Sequence, residues 1–125
     1  MLVDDSPVDL KINAKIISIN DLAEHIILCK SAEAGLSHLR KHRDEVSELP
    51  ELILLDIQMP EMDGFDFLEV YQNLPKNITG HSVVVILSST LDFGDIQRAE
   101  ANPSVLKMLK KPLQPAELRK IIDAL

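Results

Sequence analysis

"ILLDIQMPEMDG", residues 53–64, decides how the rest of this chain is read. Leu52 and the apolar residues that open this stretch run straight into an acid, Asp56. A turn-prone segment follows at once, with Pro60, Asp63 and Gly64. A short, uninterrupted run of Leu and Ile reads as a strand buried on both faces. A carboxylate at the end of such a strand stands at the rim of a core, where a charge needs company.

Outward from this run the same pattern recurs. "MLV" (1–3), "HIILCK" (25–30), "LILL" (52–55), "VVVIL" (83–87) and "VLKML" (105–109) are short apolar runs rich in Ile, Leu and Val, read as strands buried on both faces. Helical segments lie between them. Ser6-Pro7 predicts a cap followed by proline at the first helical position, with Asp9 in the first turn. Ile12, Ile16, Ile17 and Ile19 then predict the apolar stripe of the first helix. Ala32, Leu36 and Leu39 mark a second helix from Ala32 to about Glu45, and Phe65, Leu68, Tyr71 and Gln72 a third. Ile96 and residues 99–101 suggest a fourth, and Leu118, Ile121, Ile122 and Leu125 give the fifth its buried face. Strand and helix alternate throughout, and parallel strands need helical crossovers. The fold expected is therefore α/β, a doubly wound five-stranded parallel sheet of order 2-1-3-4-5, in one domain over residues 1–125. The first strand is short. It is expected to be truncated at its N-terminus, the chain beginning late in the strand or having been trimmed ahead of Met1.

Composition narrows the function. The 125 residues are 46% hydrophobic and 26% charged, enough for one sizeable core without staples. A single cysteine, Cys29, excludes an internal disulfide, and a reducing, cytoplasmic setting is the default. No apolar run is long enough to span a bilayer, and "MLVDDSP" is not a signal peptide. The formal net charge of −7 argues against nucleic-acid binding by this domain. His38 and His42 share a helix face at a metal-binding spacing, but no third ligand is evident and an exposed polar face is expected. "NIT" at 77–79 matches a glycosylation acceptor and is read as chance.

In sheets of this kind ligands bind outside the carboxyl ends of the strands. The residues just past those ends are Asp4 and Asp5, then Asp56, then Ser88 to Thr90, then Lys110 and Lys111 before Pro112. Three carboxylates in one crevice repel each other unless a cation joins them, and Mg²⁺ suits oxygen ligands that also hold a phosphate. Asp56 could then act as a nucleophile that forms an acyl phosphate, with a lysine and a hydroxyl completing the phosphate cage. Each residue also has a plainer reading: Asp4 and Asp5 as a helix-capping loop, Asp56 as a turn residue, Ser88 to Thr90 or Asp92 as a cap for the fourth helix, the lysines as solvated charges. Their joint placement at four strand ends favours a site.

"LVDDSP", "LILLDIQMPEMDGFDFL", "VVVILSST" and "LKKPL" closely resemble, in the family order, the CheY-like receiver domain of two-component response regulators, and the likeness runs over the whole chain. It implies that Asp56 is the phosphoacceptor. It implies Mg²⁺ held by Asp5, Asp56 and the Gln58 backbone carbonyl, with Asp4 acting mainly through water. By the same likeness Ser88 and Lys111 match the hydroxyl and the lysine that meet the phosphoryl group, and the Lys111-Pro112 bond is expected to be cis. One departure stands out. The aromatic residue often found three positions before the lysine is Met108 here, which either packs at the strand edge or supports a softer coupling.

The function implied is a phosphorylation-dependent signalling switch, without metabolic turnover beyond slow self-dephosphorylation. Its partners would be a sensor histidine kinase or histidine phosphotransfer protein, read at exposed positions around Asp9, Lys11 and Asn13. A downstream protein, or a second copy of the chain, would meet the face of the fourth helix, fifth strand and fifth helix, about residues 90–125. The chain carries no DNA-binding or enzymatic segment after the fifth helix, as in a stand-alone receiver or one cut from a larger regulator or hybrid kinase. Two other readings are weighed. One is a constitutive interaction module, against which the intact acidic, hydroxyl and lysine set argues. The other is an aspartate-nucleophile phosphatase, which would need a second acid just past Asp56, where Ile57 and Gln58 stand.

Overall fold

The computed structural model describes residues 1–89 and 92–125. The strands are β1 (Leu2–Val3), β2 (Leu28–Cys29), β3 (Leu52–Leu55), β4 (Val83–Ser88) and β5 (Val105–Lys110), all parallel in the order β2-β1-β3-β4-β5. The helices are α1 (Pro7–Ile19), α2 (Ala32–Lys41), α3 (Gly64–Tyr71), a single turn α4 (Lys76–Thr79), α5 (Phe93–Ala101) and α6 (Pro115–Asp123). The short α4 lies where the sequence shows no helical stripe, so the fourth and fifth helices read from sequence are α5 and α6 here. Among the described residues no helix is long and apolar enough to cross a membrane.

Side chains alternate across the strands, and each set meets its own helices. Val3, Ile53, Leu55, Val84 and Ile86 pack with Leu36 and Leu39 of α2 and Phe67 and Leu68 of α3. Leu2, Leu54, Val85, Leu87 and Leu109 pack on the other face with Leu10 and Ile17 of α1 and Leu118 and Ile121 of α6. This double coverage is what the uninterrupted apolar runs encode. The central strands β1, β3 and β4 follow the expectation. The outer two do not: Leu28 of β2 and Leu106 of β5 are exposed, because a strand at the edge of a sheet is covered less fully.

Several helix readings need correction. α1 buries Leu10, Asn13 and Ile17, while Ile12 and Ile19 face solvent at 49% and 66% exposure and Ile16 is half-buried. Two apolar stripes run along this helix, and only one meets the sheet. α2 ends at Lys41, with His42 as its C-cap, and the chain to Glu45 leads into a separate 3₁₀ turn at Val46–Glu48. Gln72 is the exposed C-cap of α3, and Ala101 and Leu125 are likewise exposed; Phe65, Leu68, Tyr71, Ala99, Leu118 and Ile121 are buried as expected.

Candidate functional site

The strand ends carry the site on backbone that the sheet itself holds. The amide of Asp4 donates to the Cys29 carbonyl at 3.0 Å and that of Asp56 to the Val3 carbonyl at 2.9 Å. The amide of Lys111 donates to the Ser88 carbonyl at 2.7 Å. Each of these residues thus continues the ladder by one step, and its side chain leaves from a fixed point. The Lys111-Pro112 bond is cis.

The loop after Asp56 is shaped by close packing at Gly64. Gly64 does not need a left-handed backbone, since no glycine has positive φ among the described residues. It needs the absence of a side chain: a Cβ there would lie 2.6 Å from the Asp56 carbonyl oxygen and 2.8 Å from Ile57 Cα. The left-handed residue of this loop is Glu61, with φ of 66°. Asp63 then caps α3, accepting from the Asp66 amide at 2.8 Å while Asp66 accepts from the Asp63 amide at 3.1 Å.

Asp4, Asp5 and Asp56 converge. One carboxylate oxygen from each lies within 4.8 Å of the others, and they form the one such group of potential metal ligands among the described residues. Asp4 and Asp56 are buried and Asp5 is exposed. Both oxygens of Asp4 are engaged: Oδ1 accepts from the Ser6 amide at 2.9 Å and Oδ2 from Lys111 Nζ at 2.8 Å. Lys111 Nζ also donates to Asp9 Oδ2 at 2.9 Å and stands 3.5 Å from Asp56 Oδ1. Burial, and after it the Asp4 charge, push the Asp56 carboxyl up to about 6; Lys111 pulls the other way and Asp5 adds to the rise. Burial works against the Lys111 charge, but the hydrogen bonds to Asp4 and Asp9 and the Asp56 charge outweigh it and hold the ammonium well above its ordinary value. Oxygen-only donors, buried mutual repulsion and a nearby opening fit a hard divalent cation such as Mg²⁺.

The remaining predicted residues fall as follows. Ser88 ends β4, fully buried, beside Lys111 in backbone register. Gln58 lies two residues past Asp56, exposed between the buried Ile57 and Met59, and lines a cleft of about 500 Å³ with Asp5, Asp63 and Arg98. Met108 is half-buried and packs against the core cluster of the α2–α3 face. Thr90 lies outside the described residues, and the α5 cap is Asp92, which accepts from the Asp95 amide at 2.8 Å. Lys110 is exposed and is not among the partners of these acids. His38 and His42 are half-buried rather than exposed; their rings lie 4.5 Å apart, tilted by 45°, and pair with the Glu48 carbonyl and with Glu45. Of the partner-facing positions on α1, Lys11 is exposed, Asn13 is buried, and Asp9 is tied to Lys111. Sequence reasoning missed Asp9 as a site residue; its only signal was an acid one helical turn after Asp5.

The response regulator receiver domain model matches residues 1–123. The chain belongs to that family. A crystal structure of a response regulator receiver protein from Dyadobacter fermentans superposes with a TM-score of 0.87 at 36% identity, covering 98% of this chain and 93% of that one. Among curated sequences, the probable methanogenesis regulatory protein FilR2 of Methanothrix harundinacea is 32% identical over 94 residues, 75% of this chain. The signal transduction histidine-protein kinase BarA of Escherichia coli is 36% identical over 76 residues, 60% of this chain. The chain spans 59% of the first and 7% of the second. Receivers are signalling domains of two-component systems that interact with histidine kinases or phosphotransfer proteins and bind Mg²⁺ at an acidic pocket, and the acid cluster of this chain is of that kind.

Proposed function

We propose that this receiver accepts a phosphoryl group from phosphohistidine on Asp56 and acts in the cytoplasm as a switch. The observation that carries the reading is the convergence of Asp4, Asp5 and Asp56 with Lys111 at the carboxyl ends of β1, β3 and β5. An Asp56 oxygen forms the O–P bond as the P–N bond breaks, and the electron pair returns to the imidazole of the donor. Asp4, Asp5, Asp56 and the Gln58 carbonyl would hold Mg²⁺, and the bound ion would supply positive charge against the acids and the phosphoryl group. Lys111 pairs with the phosphoryl oxygens, and Ser88 supplies a hydroxyl to them. The second apolar stripe of α1, with Val8 and Ile12 exposed at 64% and 49%, meets the phosphodonor protein. Ser88 and Met108 pass the change to α5, β5 and α6, the face for a downstream protein or a second copy. Turnover is limited to slow loss of the phosphate.

Intact mass after treatment with acetyl phosphate and Mg²⁺ tests this on the parent and on Asp56→Asn. One added phosphoryl group in the parent, absent without Mg²⁺ and absent in the variant, is expected. No addition to a folded, Mg²⁺-binding parent would overturn it in favour of an interaction module that does not use phosphate.

A further inference from the structure

Lys111 is held by two carboxylates of different standing. Asp4 belongs to the acid cluster that can hold a metal; Asp9 does not. Yet the ammonium is as close to Asp9, at 2.9 Å, as to Asp4, at 2.8 Å, and farther from Asp56, at 3.5 Å. The position of Asp9 is set by the start of α1. Pro7 opens the helix, and the Asp9 amide donates to Ser6 Oγ at 3.2 Å, which fixes its backbone within reach of Lys111. The Asp9 side chain is 38% exposed, so its charge is partly solvated and does not depend on Lys111 for compensation.

An ammonium has three N–H donors. Two are taken by Asp4 and Asp9, and Asp56 Oδ1 stands 3.5 Å away, the longest and weakest of the three contacts. A phosphoryl group arriving on Asp56 brings further negative charge and needs Lys111 drawn toward it. Asp9 opposes both requirements: it holds the ammonium toward α1 and adds a negative charge one lysine head away from the incoming group.

We infer that Asp9 is a positioning residue that restrains Lys111 in the resting receiver and slows phosphoryl capture by Asp56. The inference rests on the phosphoacceptor reading above and deepens it. Removing the carboxylate charge, while keeping a side chain of the same size, releases Lys111 and reduces repulsion of the phosphoryl group.

The test compares the parent, Asp9→Asn and Asp9→Glu by the initial rate of phosphoryl gain from acetyl phosphate with Mg²⁺, read by intact mass. Proton exchange of the Lys111 ammonium, read by ¹⁵N NMR without Mg²⁺ or donor, is a second readout that a merely helix-starting role would not move. Asp9→Asn is expected to gain the phosphoryl group roughly two- to fivefold faster, in the range of one partly exposed ion pair. Its Lys111 protons are expected to exchange faster, and Asp9→Glu to restore parental behaviour in both. An Asp9→Asn rate equal to or below the parent's overturns the inference while leaving Asp56 as acceptor. Equal acceleration in Asp9→Glu overturns it too, since charge would then not be the cause. A parent that takes no phosphate removes the underlying reading, and the inference with it.

Discussion

Replacing Asp56 with asparagine should stabilise the metal-free protein at neutral and alkaline pH. The Asp56 carboxyl is raised from 3.8 to about 6, chiefly by burial and by Asp4. Its residue is only 6% exposed, so solvent screens little of this. A folded pKa above the unfolded one means that the native state binds the extra proton. Well below pH 3.8 both states are protonated and the group costs nothing. As pH rises between the two values the unfolded state ionises first, and stability falls. Above the folded value the full cost is present: a shift of about two units at 1.36 kcal/mol each is ~3 kcal/mol, an upper figure. The pull of Lys111, 3.5 Å away, is already included in that net rise. At pH 5 the same linkage leaves about half, ~1.5 kcal/mol.

The expected outcome in urea denaturation with EDTA is therefore a variant more stable than the parent by about 1–3 kcal/mol at pH 8, the gap narrowing by roughly half at pH 5. Adding millimolar Mg²⁺ should stabilise the parent and shrink the gap at pH 8, because a cation bound only by the folded state adds to its stability. The variant, lacking one of three acids, should respond less. A variant no more stable than the parent at pH 8, or a gap that does not change with pH, would refute the claim that Asp56 is held in an unfavourable charged site.

Two further outcomes probe the platform beneath the site. Gly64→Ala places a Cβ 2.6 Å from the Asp56 carbonyl oxygen, a backbone neighbour that cannot swing aside; a loss of about 1–3 kcal/mol and slower phosphoryl gain are expected, and a stability change under ~0.5 kcal/mol would contradict the close approach. Leu36→Ala, at a residue 1% exposed under the sheet, should cost about 2–5 kcal/mol, whereas Ile12→Ala, at 49% exposure, should cost under ~1 kcal/mol. Comparable losses in urea denaturation would mean that the second stripe of α1 is not free of the core.

The strand ends were legible because the pattern and the chemistry agree there. A short run that is apolar at every position, as in β3 and most of β4, reads as a strand covered on both faces, and parallel strands of that kind present their carboxyl ends together. Asp4, Asp5 and Asp56 follow from that rule, which left Ser88 to Thr90 and both Lys110 and Lys111 open; the family resemblance selected Ser88 and Lys111 and assigned the roles. What stayed hidden depended on choices that residue identity does not make. Leu10 and Ile17 form one stripe of α1, and Ile12 and Ile19 form another almost opposite; both have helical spacing, and only the sheet selects between them. The glycine at 64 was visible, but its reason was not: a close approach to Asp56 and Ile57 is a property of two segments, whereas a left-handed turn would have been a property of one.

Asp9 shows the same limit at the site itself. Its partner lies 102 residues away, and in sequence an acid in the first turn of a helix is explained fully by the helix dipole. Only the fold brings it to Lys111. That placement also bears on the proposed phosphorylation of Asp56. Asp4, Asp56 and Lys111 have their amides bonded to neighbouring strands, so their backbones have little room to move. The Lys111 head, at the end of a flexible stem between three carboxylates, has room. A change of partner by that ammonium, away from Asp9 and toward Asp56, needs no backbone displacement at all. It is therefore the least costly first response of this site to added negative charge, ahead of any movement of α5 or β5.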